Sequence, residues 1–270
     1  MSVDIMGLIG VVVGVLAVLI GMQYKGVPLD SLNNPAAILI ILMGTVGAVM
    51  IATPGNELKN LGKLFGVLFG KSKFTTKAEI IDTIVRLSEL ARQEGLLVLE
   101  KEMANIKEPL IVRGVQMLTD GADSQYIAEI LTTEIESMEA RHAANAQIFT
   151  QAGTYAPTLG VLGAVLGLIA ALSEMNDTEA LGHAISAAFI ATMLGIFTGY
   201  VLWHPFANRL KRKSRQEVMV KQLAIEGIIG LSEGQNPRML KDRMLAFLSV
   251  SERSGSGKAG KGAEAAEADS

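Results

Sequence analysis

Four stretches of this chain run for eighteen residues or more without a charged side chain, and that limits the fold more than any other feature. They are Ile5–Met22, Pro35–Thr53, Thr154–Ser173 and Ala184–Trp203. A helix crossing about 30 Å of hydrocarbon needs about 20 mostly apolar residues. Four such blocks inside a soluble protein would leave too little polar chain to cover them. The residues before the first block, Met1-Ser2-Val3-Asp4, lack the positive charge of a signal peptide, and Gln23-Tyr24-Lys25 follows it, so a retained span is expected rather than a cleaved leader. The expected fold class is an all-α membrane protein, with four transmembrane helices and a helical cytoplasmic domain.

Charge sets the expected orientation. Of the 24 Lys and Arg residues, 11 fall between residues 54 and 153 and 12 between 205 and 270. The 23–34 loop carries only Lys25, and the 174–183 loop carries none. The positive-inside rule then places both termini and the 54–153 segment in the cytoplasm of a multi-pass protein of the cell membrane. Trp203 falls at the inner boundary, where amphipathic aromatics are favoured. A net charge of -3 gives no case for nucleic acid. With no cysteine and only His142, His183 and His204, neither a disulfide framework nor a metal site is expected. The sequence contains no phosphate-binding loop and no nucleophile constellation, so neither an enzyme nor a cofactor is expected.

The domain plan follows. Residues 1–53 hold spans one and two, 54–153 a cytoplasmic helical domain, 154–204 spans three and four, 205–250 a C-terminal helical region and 251–270 a disordered tail rich in Gly, Ala, Ser, Lys and Glu. Ile80, Ile84, Leu87, Leu90 and Ala91 make one apolar stripe. Ser124 is the expected N-cap of a helix carrying Ile127, Ile130, Leu131, Ile135 and Met138. No strong breaker separates Glu134 from Gly153, so that helix is expected to continue into span three. Gly95 and Glu108-Pro109 mark turns, His204-Pro205 a bend or restart, and Asn236-Pro237 a turn before a last short helix. The basic run Arg209 to Arg215 reads as an anchor beside anionic lipid.

Small residues recur on helix faces: Gly160, Gly163, Ala164 and Gly167 in span three, and Ala188, Thr192, Gly195 and Gly199 in span four. In lipid such stripes let backbones approach closely. Packing within one subunit accounts for any single stripe, and several together point to association with further copies or another membrane helix. Pro157 and Pro205 flank the same inner boundary on consecutive spans, marking either helix ends or a hinge. No ionisable group lies in any span, so if ions pass, the titrating carboxylate belongs to a partner. Thr158, Ser186, Thr192 and Thr198 are the polar groups available.

The run Ala156-Pro157-Thr158-Leu159-Gly160-Val161-Leu162-Gly163-Ala164-Val165-Leu166-Gly167 resembles the third-span motif of the MotA/TolQ/ExbB proton-channel family. Ala191 to Gly195 with Trp203-His204-Pro205-Phe206 is similar to its last helix, Asn34-Pro35-Ala36-Ala37 to the opening of span two, and Ala91 to Glu100 to the cytoplasmic signature of its flagellar branch. The likeness covers about residues 1 to 250. It implies a subunit that assembles with itself in a pentamer-like ring around a MotB-like partner whose membrane aspartate carries the ion. Ion flow then drives the ring against the rotor protein FliG. It also implies that Pro157 and Pro205 are the conformational prolines, and that Arg92 and Glu100 face the rotor. Ala164, Thr192 and Thr158 would line the ion path, with Gly160, Gly163, Gly167, Gly195 and Gly199 packing helices. Sodium-type relatives carry Thr where this chain has Ala164, and a hydroxyl oxygen helps replace a cation's hydration shell, so the expected ion is the proton. The alternatives are an ExbB- or TolQ-like energiser, whose relatives have three spans, and a scaffold that conducts nothing.

Overall fold

The computed structural model describes residues 5–70, 75–173, 178–249 and 252–253. The first four residues and nearly all of the 251–270 tail lie outside them, as do residues 174–177 of the second short loop. The main helices are α1 (Ile5–Tyr24), α2 (Pro35–Ala52), α3 (Gly55–Leu58), α4 (Leu61–Phe69), α5 (Lys77–Glu94), α6 (Leu99–Glu102), α7 (Pro109–Thr119), α8 (Ser124–Leu172), α9 (Thr178–Phe197), α10 (His204–Ser232) and α11 (Pro237–Leu245). Four helical stretches are long and apolar enough to cross a membrane. The chain divides into two compact units, an apolar one of residues 1–72 and 141–213 and a polar one of 73–140 and 214–270.

In the apolar unit, α2 starts where Asn34 accepts the Ala37 amide N–H at 3.0 Å and Pro35 occupies the first turn, the position where its missing N–H costs nothing. The Asn34 amide also donates to Ala187 O at 3.4 Å, tying this start to α9. Ala37, Ile41, Thr45 and Val49 form the buried face of α2, one residue per turn. They meet small partners, with Ala37 and Ile41 clustering on Ala156 and Ala191. Outward-facing residues stay uncovered: Met43 is 65 % exposed and Ile51 91 %. Only 6 % of the most apolar stretch of α1 is buried in the protein. Such surfaces are stable where the surroundings are themselves apolar.

Gly55 to Phe69 belongs to this unit, as do residues 141–153 of α8; the 54–153 segment is therefore not one domain. α4 is amphipathic. It buries Leu64 and Leu68 against Ala146, Phe149, Ala207 and Leu210, while Lys63 and Val67 remain exposed. The buried ammonium of Lys213, 9 % exposed, donates to the carbonyls of Val67 and Gly70 at 2.6 Å each, satisfying the end of α4.

The polar unit has the core of an ordinary soluble domain. Ile80, Ile84 and Leu87 of α5 are fully buried with Leu110, Ile111, Ile127, Leu131, Leu223 and Leu240, and Leu90 and Ala91 pack at the margin. A capping box starts α5: Thr76 accepts the Glu79 N–H at 3.2 Å and Glu79 accepts the Thr76 N–H at 2.8 Å. These hydrogen bonds from the Thr76 amide and hydroxyl, helped by Lys107, hold the Glu79 carboxyl below its ordinary pKa. The hydrogen bond from Arg86 does the same for Glu102. At α8 the cap is Asp123, whose carboxylate accepts the Tyr126 N–H at 2.9 Å; Ser124 is the first helical residue rather than the cap. α8 then runs 49 residues without interruption, through Pro157.

Candidate functional site

The heart of the apolar unit is the crossing of α8 and α9. A Cβ added at Gly160 would lie 2.9 Å from Ala191 O and from Gly195 Cα, and one at Gly195 would lie 2.8 Å from Ala156 O and from Gly160 Cα. At Gly199 it would meet Gly153 O and the Pro157 ring at 2.8 Å. Here the two backbones touch, and only glycine fits. Contact then loosens along the stripe. At Gly163 the nearest atoms, Ala191 Cβ and Ile40, stand at an ordinary 3.8 Å, and at Gly167 nothing lies within 4 Å. Gly160, Gly195 and Gly199 are therefore packing residues within the subunit. Gly167 packs no described residue, and its side of α8 is open.

Thr158 is exposed, Ala164 is buried and Thr192 is half-buried. The Thr192 hydroxyl donates to Ala188 O at 3.2 Å and the Thr158 hydroxyl to Thr154 O at 3.5 Å. Each hydroxyl hydrogen is spent on its own helix, which leaves the oxygen lone pairs to accept from water or a neighbouring group. None of Thr158, Ala164 and Thr192 carries a charge.

The sequence reading of a bend or restart at His204-Pro205 needs correction. α9 passes into a π-turn, Thr198–Trp203, and α10 continues from His204 to Ser232 as one helix, so the chain does not restart at Pro205. Proline has no N–H and its ring crowds the carbonyl one turn back. A wider π-turn just before Pro205 absorbs both defects without breaking the rod. Pro157 lies against Gly199 inside that turn, and the His204 ring lies where a Cβ on Gly153 would go, 2.8 Å away. Pro157 and the turn that leads into Pro205 thus meet across one helix crossing. This π-turn was hidden from sequence; its only signal was a proline at the end of an uninterrupted apolar run.

Within the polar unit, Arg92 lies in the last turn of α5 and Glu100 on α6. Gly95 stands between them at φ +88°, a conformation that side-chain-bearing residues avoid. It turns the chain so that both charges are exposed, and neither pairs with a described residue. Leu96 and Leu97, 40 % and 72 % exposed, stand between them. Nearby charges do pair: Arg86 with Glu102, and Arg113 with Glu134 at 2.7 Å. A more buried pair, Lys221 and Glu108 at 2.9 Å, fixes the start of α7, where Glu108 also accepts the Leu110 N–H.

Comparison with known proteins bears on this arrangement. Residues 102–222 match the model of the MotA/TolQ/ExbB proton channel family, and residues 8–95 match that of the Motility protein A N-terminal region. The chain is 53 % identical over 250 residues to Motility protein A of Bacillus subtilis, covering 93 % of each chain. It belongs to the MotA/TolQ/ExbB proton channel family. Among solved structures it is similar to the flagellar MotAB stator complex from Bacillus subtilis, at TM-score 0.86 and 53 % identity over 91 % of this chain and 96 % of that one. It is also similar to C. jejuni MotAB, at TM-score 0.86 and 30 % identity over 92 % and 96 %. With four apolar helices and this family, it is a membrane protein.

Proposed function

We propose that this chain is the ion-conducting stator subunit of a bacterial flagellar motor, coupling proton flow through a MotA–MotB-type complex to torque on the rotor. The observation that carries the reading is its 53 % identity, over nearly its whole length, to a chain of the flagellar MotAB stator complex. The absence of acids from the four apolar blocks supports a path whose titrating carboxylate comes from a MotB-like helix. The open side of α8 at Gly167 supports a ring of copies around that helix, pentamer-like as in the family resemblance. The charge distribution supports cytoplasmic termini and a cytoplasmic polar unit, with the two short loops outside.

Ala164, Thr192 and Thr158 line the path in this reading. Methyl-bearing Ala164 offers no oxygen to a dehydrating sodium ion, so the proton is the ion carried. When the partner's aspartate is protonated, its packing against α8 and α9 changes, and the crossing of Pro157 with the π-turn yields. Exposed Arg92 and Glu100 present that motion to FliG. The test is swimming and proton uptake in cells lacking their own stator and given this chain with its MotB-like partner, with and without sodium. Motility that persists without sodium and collapses with the proton gradient is expected. Motility only in sodium would overturn the ion assignment, and none despite correct insertion and assembly would overturn the stator reading. Arg92→Glu should abolish swimming, and a charge-reversing change in the rotor should restore it.

A further inference from the structure

The apolar unit contains a half-open hollow of about 280 Å³ walled by α2, α3, α4, the start of the apolar part of α8 and the π-turn. Its wall includes Val49, Leu61, Ile148, Phe149, Ala152 and Trp203, and its surface is apolar throughout. The Thr45 hydroxyl and the Trp203 indole N–H of two wall residues have no partner among the described residues, and neither is presented to the hollow. Thr45 is 3 % exposed. On the outer side, Val46 and Met50 of α2 form the rim, 52 % and 59 % exposed, on an uncovered apolar face of α2.

These features select the occupant. An ordered water needs two to four polar partners, which this wall does not supply. The volume is nearly twice the ~150 Å³ of a dry apolar cavity that admits benzene, enough for a run of methylenes. A helix of a second copy, about 10 Å across, is too thick to enter it. The hollow lies at the end of α2 that leads into the basic segment, and exposed Lys59 and Lys63 flank the wall residues Leu58 and Leu61. A ligand that is apolar at depth and carries an anionic head beside the lysines is an acidic phospholipid. We propose that this hollow is a binding site for one acyl chain of an anionic phospholipid from the leaflet on the basic side of the membrane. A chain seated there fills the space between α2 and the aromatic group of Phe149, Trp203 and Phe206, whose rings stack edge-on or tilted at 6.1–6.3 Å. The site rests on the membrane reading of the four helices and not on the identity of the ion.

The experiment uses the complex of this chain with its MotB-like partner in phosphatidylcholine nanodiscs. These contain a trace of phosphatidylglycerol bearing a diazirine on its acyl chain, and labelled peptides are mapped after illumination. Labelling is expected at Val49, Phe149 and Ala152, and competition by unlabelled phosphatidylglycerol should remove it while leaving lipid-facing Leu16 of α1 labelled. Val46→Trp, which closes the rim from an exposed position, should reduce wall labelling about tenfold with Leu16 unchanged. Lys59→Gln with Lys63→Gln should remove the advantage of unlabelled phosphatidylglycerol over phosphatidylcholine as competitor. Wall labelling no stronger than at Leu16 and unaffected by Val46→Trp overturns the site, as does cross-linking between copies through Met50, which would make a second copy its cover. Loss of labelling at Leu16 as well would instead remove the membrane reading.

Discussion

The two units of this chain are held together by opposite means. In the apolar unit the tightest contacts are made by what is missing: Gly160 and Gly195 let α8 and α9 touch backbone to backbone, and the central cluster is Ala37, Ile41, Ala156 and Ala191. In the polar unit the contacts are made by bulk, with Ile84, Leu87, Leu131 and Leu223 at zero exposure. The difference follows from the solvent. Against water, burying a large aliphatic side chain contributes about 1.5–3 kcal/mol, so bulk is favoured inside. Against lipid that gain vanishes, and close fit between backbones takes its place. Surface chemistry divides the same way, because the polar unit carries ion pairs that the four uncharged blocks cannot form.

This contrast predicts that adding atoms breaks the first unit and removing them breaks the second. The largest effect is expected from Gly195→Leu. Its side chain meets backbone at 2.8 Å, which has nowhere to move, so more than about 3 kcal/mol and all swimming should be lost, read from membrane levels and thermal melting of the purified complex. Gly167→Ala is the matched control: the new methyl meets nothing in the subunit, so melting should not change. Equal damage at both positions would break the comparison. Next, Leu223→Ala should cost about 2–5 kcal/mol in denaturant unfolding of the polar unit while leaving α8–α9 packing intact. Lys221→Met should cost roughly 2–3 kcal/mol by leaving the Glu108 carboxylate, 7 % exposed, without its cation. Pairing it with Glu108→Leu should recover part of that loss, and a double-mutant cycle measures how much.

The smallest effect concerns the cap of α5. Glu79 has a lowered pKa in the folded protein, so its contribution is present above the unfolded carboxylate pKa and is lost as pH falls through the folded one. Glu79→Gln should therefore lower stability by a constant amount above those two values and flatten the acid limb between them, so that the two chains converge below the folded pKa in urea unfolding followed across pH. Thr76→Ala, which removes the other half of the box, should cost about 1 kcal/mol at neutral pH, measured by urea unfolding.

Much of this was legible in the sequence because the relevant physics is local or periodic. Uncharged runs located the four apolar helices, and the three-and-four spacing of Ile80, Ile84 and Leu87 marked a face that the fold buries completely. What stayed hidden depended on partners distant in sequence. α4 is too short to signal itself, and its place in the apolar unit is set by Phe149, Ala207 and Lys213, which lie far along the chain. Glycine spacing announced a stripe on α8 but not that α9 occupies only part of it, tight at Gly160 and absent at Gly167. Asp123 and Ser124 are both good capping residues, and choosing between them takes the first-turn geometry. The charges at Arg92 and Glu100 were visible as residues, whereas their lack of partners among the described residues is a property of the folded unit.

The π-turn before Pro205 also acts as a frameshift in space. It holds one residue more than an α-helical turn would, and one residue corresponds to about 100° of rotation around the axis. Ala207, Leu210 and Lys213, which follow it, are seated beside α4. Deleting a single residue between Thr198 and Trp203 would leave every later side chain in the sequence yet turn it about the helix axis, so the segment that stacks Trp203 on Phe206 also sets the helical phase of α10.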